Sequence, residues 1–326
     1  MRIVTALCAI AFLAECISTP SQAAEERDCR LQQFASVDFV FSSSEDVIFP
    51  ITIADTPTQA ELNLASVFST TGPMAIDRLK LTTRSLSRLT NLNLAVGNRR
   101  ITRITNPVPV SIGTYRINAD FLVTTDVDGA DPVTVRIGIG LFARVDLELD
   151  FANQKMNIYS QEHCPAGVVY WANSFGAVPL RKAPAGNYLV MELEGKKIET
   201  AIGTSRQITT LRADAAKSLF GIEAEGRDAE RAKLGDASPP PTRQQFMEMT
   251  ANGISVMNAQ VELDFQPQRS TGCRLQERKG VDRAAGYVGC FNVFPLVLGM
   301  NVLRNMRLYF AMEENMLYFT AADAQK

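Results

Sequence analysis

An internal repeat limits the possible folds of this chain more than any other feature of its sequence. Two long stretches align without a gap at a shift of 140 residues, and the aligned pairs include Ile51 with Met191, Ile53 with Leu193, Leu62 with Ile202, Asn63 with Gly203 and Leu79 with Leu219. Near the ends of the two copies, a shift of 161 residues aligns Gly138 with Gly299, Leu147 with Leu308 and Leu149 with Phe310. Two copies of one unit predict two similar domains related by an approximate twofold axis, with a cleft between them.

Both copies consist mainly of strand-like runs in which apolar and polar residues alternate. In the first copy these runs cover residues 37–41, 47–53, 108–112, 115–123 and 133–139, and each copy closes with a predicted hairpin, at 147–159 and at 308–319. Helical spacing is convincing only at 72–79 and 212–220. In the second copy, a hairpin delivers Gly203, Thr204 and Ser205 to a tight turn. The sequence therefore predicts a mostly β protein.

The start and the middle of the chain suggest the domain boundaries. Residues 1–23 combine a basic start, an apolar core and small residues at the end, a pattern typical of a cleaved export signal. Residues 165–186 are irregular and rich in Pro and Gly. We expect a signal peptide (1–23), a first lobe (34–164), a linker (165–186) and a second lobe (187–322). The mature chain is expected to be periplasmic or secreted, without a transmembrane segment.

Removal of the signal would leave four cysteines: Cys29, Cys164, Cys273 and Cys290. An even number of cysteines in an oxidising compartment predicts two disulfides. Sequence alone permits three pairings. We favour Cys29 with Cys164, which would join the two ends of the first half, and Cys273 with Cys290, which would close a polar loop in the second half.

Charge and histidine content exclude several classes of function. The formal net charge is −2 and the basic residues are scattered, so nucleic-acid binding is not expected. His163 is the only histidine, so a Ser-His-Asp arrangement or a zinc site would have to use it. Its position beside Cys164 favours a surface or capping role. Neither a metal nor a cofactor is expected.

A glycine-containing run at residues 138–143 has the Gly-x-Gly-x-x-Ala spacing of a dinucleotide-binding turn. That kind of site requires a long helix after the second glycine. Residues 145–151 instead alternate as a strand, so we interpret the glycines as packing positions.

Several motifs together resemble the bacterial retropepsin-like aspartic proteases, and the tandem two-lobed secreted members in particular. They are the small-residue turn at 203–205, Thr-Thr-Leu at 209–211, the short helix after it, LGMNVLR at 298–304 and LELDFANQKMNIYSQEHCP at 147–165. The resemblance covers nearly all of the mature chain. It implies two homologous acid-protease-like β-barrel lobes in a pseudo-twofold arrangement, as in pepsin-type enzymes, with an interlobe cleft. It also implies one Asp-Thr-Gly loop from each lobe, whose two carboxylates share a proton.

This chain departs from that pattern at both acid positions. Asn63 and Gly203 stand where the catalytic aspartates are expected, and Thr204 follows Gly203 as in the family motif. Asparagine does not ionise and glycine has no side chain, so the shared-proton mechanism is lost. Glu61, two residues before Asn63, is the one candidate for a substitute acid.

The resemblance also suggests four positions for ligand binding: Ser66, Ser205, Gly138 and Gly299. The resulting hypothesis is a catalytically inactive pseudoprotease that binds an extended peptide or an envelope protein in the cleft. One alternative is an active aspartic endopeptidase with non-standard acids such as Glu61. A second alternative is a structural cell-envelope protein, which a cleft filled by bulky side chains would favour.

Overall fold

Alternating apolar residues form strands through most of the chain, and the predicted mostly β class is confirmed. The computed structural model describes residues 30–86, 94–96, 99–124, 135–165, 167–183, 186–223, 242–264 and 294–322. The predicted signal peptide at residues 1–23 lies outside the described residues and stays a prediction. None of the helices in these described ranges is both long and apolar enough to cross a membrane.

The strands of the first half are β1 (Gln33–Asp38), β2 (Val40–Phe41), β3 (Val47–Ile53), β4 (Thr56–Asn63), β5 (Thr70–Thr71), β6 (Thr83–Ser85), β7 (Leu94–Val96), β8 (Arg99–Ile101), β9 (Arg103–Thr105), β10 (Val108–Ile112), β11 (Tyr115–Ala119), β12 (Leu122–Val123), β13 (Val135–Gly138), β14 (Asp146–Asp150) and β15 (Lys155–Tyr159). Those that follow are β16 (Gly176–Pro179), β17 (Arg181–Ala183), β18 (Gly186–Leu193), β19 (Lys196–Ile202), β20 (Thr209–Arg212), β21 (Arg243–Ala251), β22 (Ile254–Asp264), β23 (Leu296–Leu298), β24 (Met306–Ala311) and β25 (Met316–Ala321).

Within the described ranges, four short helices interrupt the strands: α1 (Pro73–Arg78), a 3₁₀ helix (Ile139–Phe142), α2 (Ala213–Phe220) and α3 (Met300–Leu303). The two helices predicted from the sequence, α1 and α2, are confirmed. Proline at the first turn starts α1, because its missing N–H would have no partner there. Gly221, in the left-handed conformation at φ 69°, ends α2.

The first-half sheet has the order β11-β10-β3-β4-β13-β5-β12-β9-β6, and β2 pairs with β3. Its centre is β13, which runs parallel to β4 and antiparallel to β5. β12 then runs parallel to β5. This order places the end of β4, at Asn63, beside Gly138 at the end of β13.

The second-half sheet has the order β17-β18-β19-β23-β20-β22-β21. Here β23 runs parallel to β19 and antiparallel to β20, and β22 runs parallel to β20. This is the same order of pairing as in the first half. A further pairing of β21 with β18 closes six of these strands into a barrel.

A six-stranded sheet, β1-β15-β14-β24-β25-β16, joins the two halves. At its centre, β14 pairs antiparallel with β24, so that Leu147 lies opposite Phe310 and Leu149 lies opposite Leu308. The sequence repeat equates Leu147 with Leu308 and Leu149 with Phe310. Leu147 therefore lies opposite the counterpart of Leu149, and Leu149 lies opposite the counterpart of Leu147. A local twofold axis requires this register.

The two faces of this joining sheet differ in chemistry. Leu147, Leu149, Leu308 and Phe310 belong to the main apolar core. On the other face, Tyr159, Tyr309 and Tyr318 form a separate cluster with Val168 and Trp171. Residues 165–186, predicted as a linker, thus contribute strands β16 and β17 and a buried cover for the joining sheet.

Two predicted strands are divided by changes of partner. Residues 37–41 break at Phe39, because β1 pairs with β15 in the joining sheet while β2 pairs with β3 in the first-half sheet. Residues 115–123 break after Ala119, where Phe121 exchanges hydrogen bonds with Thr105 instead of continuing the ladder to β10. Alternation in the sequence is unaffected by such a switch, so it could not be predicted.

Candidate functional site: two facing loops

Two short loops meet between the halves and form the candidate site. The first loop, residues 63–66, follows β4, and the second loop, residues 203–206, follows β19. Thr204 is fully buried, and its Oγ1 donates a hydrogen bond to the carbonyl oxygen of Leu62 over 2.5 Å. The same Oγ1 accepts a hydrogen bond from the N–H of Leu64 over 3.1 Å. One hydroxyl of the second half therefore holds the backbone on both sides of Asn63.

The two loops have the same internal hydrogen bonds. Ser66 N donates to Asn63 O (3.3 Å) in the first loop, as Arg206 N donates to Gly203 O (3.1 Å) in the second. Ile139 N donates to Ser66 O (2.8 Å), as Met300 N donates to Arg206 O (2.7 Å). Gly140 N donates to Val67 O (3.2 Å), as Asn301 N donates to Gln207 O (2.9 Å). Every pair follows the two shifts found in the sequence. The loops are therefore equivalent in backbone geometry as well as in position.

Gly138 and Gly299, predicted as binding positions, lie directly under the loops. A Cβ at Gly138 would stand 2.5 Å from the carbonyl oxygen of Phe68, and a Cβ at Gly299 would stand 2.3 Å from the carbonyl carbon of Ile208. Their N–H groups donate to the hydroxyls of Ser69 and Thr209, which are themselves paired by the repeat. Both glycines allow backbone to pass close to backbone, and their contacts are with the protein itself.

The two serines of the loops differ. Ser66 is buried, and its hydroxyl both donates to the carbonyl and accepts from the N–H of Phe68, so it stabilises its own turn. Ser205 is half-buried in the turn after Thr204. Of these two predicted binding residues, Ser205 has the greater access to a ligand.

Neither acid position of the aspartic-protease pattern offers a carboxylate. The Oδ1 atom of Asn63 is buried and has no hydrogen-bond partner among the described residues. A Cβ at Gly203 would stand 2.5 Å from Cγ1 of Val297 and 3.0 Å from the carbonyl oxygen of Leu298. Val297 therefore fills the space into which a side chain at position 203 would extend.

Glu61, the candidate substitute acid, is already paired. Its side chain is only 6% exposed, and its Oε2 lies 2.8 Å from Nε of Arg136, which is directly opposite on β13. A guanidinium at this distance occupies one oxygen of the carboxylate. For Glu61 to share a proton with a group of the second loop, its ion pair with Arg136 would have to break.

The second loop carries a cation near the closed acid position. Cγ of Arg206 would stand 3.3 Å from a Cβ at Gly203, and the residue is half-buried. Within the described parts of the chain, its guanidinium meets no carboxylate at ion-pair distance. Residues 63–66 and 203–206 contain no acid. The two loops therefore carry one basic side chain and no acidic one.

An apolar wall lies beside the loops. It consists of Ala201, Phe294 and Val297, with Ala65 and Tyr188 packed against them. The rings of Tyr188 and Phe294 are 5.2 Å apart. Gly186 lies close to the first loop, because a Cβ there would stand 2.7 Å from the carbonyl oxygen of Ala65. Strand β18 thus joins this wall to the first loop.

A second polar cluster lies away from the loops, on the covered face of the joining sheet. Of the two roles predicted for His163, surface or capping, the surface role is wrong: its side chain is 1% exposed. Its Nε2 lies 2.5 Å from Oδ2 of Asp146, and its Nδ1 lies 3.3 Å from Oε1 of Glu314. The position of His163 beside Cys164 did not indicate that its side chain is buried. The residues that bury it lie far along the chain.

Asp146 receives further hydrogen bonds from the N–H of Met312 (2.9 Å) and the hydroxyl of Tyr309 (3.1 Å). Burial raises the pKa of Asp146 despite these bonds and the contact with His163, which act in the opposite direction. Burial together with the Asp146 carboxylate raises the pKa of Tyr309, so that its hydroxyl stays a donor.

Glu148 and Asp150 follow Asp146 at alternate positions of β14 and are also buried. Arg307 forms ion pairs with both, and its guanidinium lies 4.4 Å above the ring of Trp171. Burial alone would lower the pKa of Arg307, but the two carboxylates outweigh burial and raise it. The hydroxyls of Tyr159 and Tyr170 and the side-chain amide of Asn157 also donate hydrogen bonds to Glu148.

This row of three buried acids was missed in the sequence. In VDLELDF, acids alternate with apolar residues, as they do in any strand with one solvated face. A cavity of about 870 Å³ borders the same region, lined by Gln161, Glu162, His163, Glu313 and Glu314 among others. It shares no lining residue with the two loops.

Cys164 is disulfide-bonded. Cys29, Cys273 and Cys290 lie outside the described residues, so both predicted pairings stay predictions. In the part of the chain that the structure describes, no three His, Cys, Asp or Glu side chains come together to hold a metal ion.

No family model matches this chain, and no curated protein matches it either.

Proposed function

We propose that this chain is an exported protein with two homologous acid-protease-like β-barrel lobes, similar to the bacterial retropepsin-like aspartic proteases, that binds an extended peptide or protein partner without cleaving it. One observation carries the proposal. Thr204 joins the two loops around Asn63, in the arrangement expected of paired active-site loops, while both acid positions lack a carboxylate.

Support for the two-lobed architecture comes from symmetry. The twofold register of β14 with β24 and the matching hydrogen bonds of the two loops agree with one unit present twice. Loops at a twofold axis between two β units lie at the base of the proposed cleft. A partner bound there would contact both halves at once.

Three observations weigh against peptidase chemistry. Asn63 offers an amide, Val297 occupies the space beside Gly203, and Arg136 forms an ion pair with Glu61. An aspartic peptidase requires one carboxylate to act as a base on water and a second, protonated one to polarise the peptide carbonyl. This arrangement supplies neither role, which weighs against the alternative of an endopeptidase with non-standard acids.

The packing of Val297 against Gly203 favours a second candidate, a structural cell-envelope protein whose loops only join the halves. Hydrogen–deuterium exchange of the mature protein, with and without an excess of reduced, unfolded polypeptide, separates the two. Partner binding predicts slower exchange in residues 63–66 and 203–206. Unchanged exchange in both loops would favour the structural role.

A further inference from the structure

The imidazole of His163 lies between two carboxylates that belong to different halves of the chain. Its Nε2 is 2.5 Å from Oδ2 of Asp146 on β14, and its Nδ1 is 3.3 Å from Oε1 of Glu314, in the turn between β24 and β25. His163 itself belongs to the segment between β15 and β16, residues 160–165 and 167–175, which is called the cover below. One ring therefore links the cover to both halves.

Both nitrogens of this ring face hydrogen-bond acceptors. Besides Glu314, the backbone oxygen of Cys164 lies 3.3 Å from Nδ1. A neutral imidazole has one N–H donor and one lone pair. While both carboxylates are ionised, the nitrogen with the lone pair would face an oxygen that also has only lone pairs. Each of the two contacts, with Asp146 and with Glu314, therefore requires a proton of its own.

The two carboxylates are held in these positions by further hydrogen bonds. Asp146 Oδ1 accepts from the N–H of Met312 over 2.9 Å, and Glu314 Oε2 accepts from the hydroxyl of Tyr318 over 2.6 Å. Turning either carboxylate away from the ring would break one of these bonds. The requirement for two protons is therefore met by protonation and not by rotation of a side chain.

The charges around the cluster of Asp146, His163 and Glu314 favour the additional proton. Burial raises the pKa of Asp146 in the same direction. Acids outnumber arginines among the neighbouring groups. The titratable and charged groups around the cluster are Glu148 and Asp150 of β14, Tyr159 of β15, Glu162 and Tyr170 of the cover, Arg307 and Tyr309 of β24, Glu313 in the turn, Tyr318 of β25, and Arg30 before β1.

We propose that Asp146, His163 and Glu314 hold two protons while the cover is closed, one in each contact, and that loss of one proton with rising pH releases the cover from the joining sheet. The proton that leaves passes to water in the cavity of about 870 Å³ that His163 and Glu314 line. This cluster lies away from the two loops, so the inference does not depend on the proposed function.

The direction of the pH dependence follows from the number of protons bound. In an unfolded chain, a histidine loses its second proton near about pH 6.5. Above that pH the folded cluster holds one proton more than the same groups in the unfolded chain. Its contribution to stability is therefore fully present below about pH 6.5 and is lost as the pH rises further.

Trp171 reports on the cover, because it is the single tryptophan of the chain and is buried there. Quenching of its fluorescence by acrylamide is measured on the purified mature protein from mildly acidic to mildly alkaline pH. We expect quenching to increase with pH, with a midpoint above about pH 6.5. Tyr159 and Tyr309 keep their protons over this range, because burial raises the pKa of both hydroxyls.

Two amide variants test the proton requirement. In Glu314→Gln, the new amide N–H can donate to Nδ1, so that this contact no longer needs a proton that titrates. We expect quenching in this variant to stay low at every pH. Asp146→Asn makes the same change in the other contact and should give the same result. Glu313→Gln removes an equal charge from the exposed neighbour of Glu314 and, as the control, should retain the increase.

Circular dichroism confirms that each variant is folded. Quenching of the wild type that does not change with pH would contradict the inference. An increase that persists in both amide variants would contradict it as well. Strong quenching of both amide variants at every pH would show that the two carboxylates serve only packing, and would also overturn it.

Discussion

Thr204 donates its hydroxyl hydrogen to the carbonyl oxygen of Leu62 across the boundary between the two halves, over 2.5 Å. No alternation or composition argument foresees such a bond, because it joins residues 142 positions apart. It gives this threonine a structural role in a loop that carries no acidic residue. The hydroxyl stabilises the contact between the halves whether or not chemistry takes place.

Thr204→Val should therefore destabilise the protein by about 1–3 kcal/mol, because it leaves buried backbone groups of Leu62 and Leu64 without a partner. Thr200→Val is the matched control. Thr200 is equally buried, but its hydroxyl bonds only to Ile198 of its own strand. Urea unfolding followed by the fluorescence of Trp171, the single tryptophan, measures both variants. Equal losses would argue against a special role for the bond between the halves.

The closed space at position 203 predicts a specific coupling between two residues. Gly203→Ala should destabilise by about 1–3 kcal/mol, because the new Cβ overlaps Val297 Cγ1. Val297→Ala removes that methyl group, so the double variant should be more stable than the sum of the single changes indicates. Chemical denaturation of all four proteins gives the coupling energy. A value of zero would show that Val297 does not limit position 203.

Arg307 should be far more important to stability than its neighbour Arg304. Arg307→Leu leaves the buried acids Glu148 and Asp150 without a cation, at a cost of about 3–5 kcal/mol. Arg304→Leu removes a 54% exposed partner of Glu45 and should change stability by about 1 kcal/mol or less. Thermal unfolding compares the two, and similar melting temperatures would contradict the charge network.

The pH dependence of stability should differ in sign between two aspartates. Burial raises the pKa of Asp146 above its ordinary value of 3.8, so the folded state favours its protonated form. Its contribution to stability is full below pH 3.8 and is lost as the pH rises through the folded pKa. Asp214 is the contrast, because Arg212 lowers its pKa and its contribution is lost as the pH falls.

Asp146→Asn and Asp214→Asn test this by urea unfolding over a series of pH values. The stability of the wild type relative to Asp146→Asn should decrease with rising pH. Relative to Asp214→Asn it should increase, and only slightly, because the Asp214 side chain is 62% exposed. Parallel curves for both variants would show that Asp146 does not titrate as described.

The sequence repeat made the positions of the two loops predictable. The residues on the covered face of the joining sheet could not be predicted. Aligning Asn63 with Gly203 placed two turns at matching positions, and a twofold arrangement brings such turns together. The burial of His163 and of Asp146 depends on Tyr309 and Glu314, which lie far along the chain. No spacing rule connects these residues, because only the pairing of β14 with β24 brings them into contact.

The state of the acid positions was also only half predictable. The sequence alone shows that Asn63 and Gly203 cannot ionise. That Val297 fills the space beside Gly203, and that Glu61 is held by Arg136, depends on side-chain packing between parallel strands. Such contacts require the register, which the sequence pattern does not specify.

Peptide cleavage is the most direct test of the central claim. The purified mature protein is incubated with a library of unfolded peptides from acid to neutral pH, with and without pepstatin, and new termini are identified by mass spectrometry. We predict none above the level of a protein-free control. Pepstatin-sensitive cleavage that disappears in Glu61→Gln would contradict the account and assign the loops to an active peptidase.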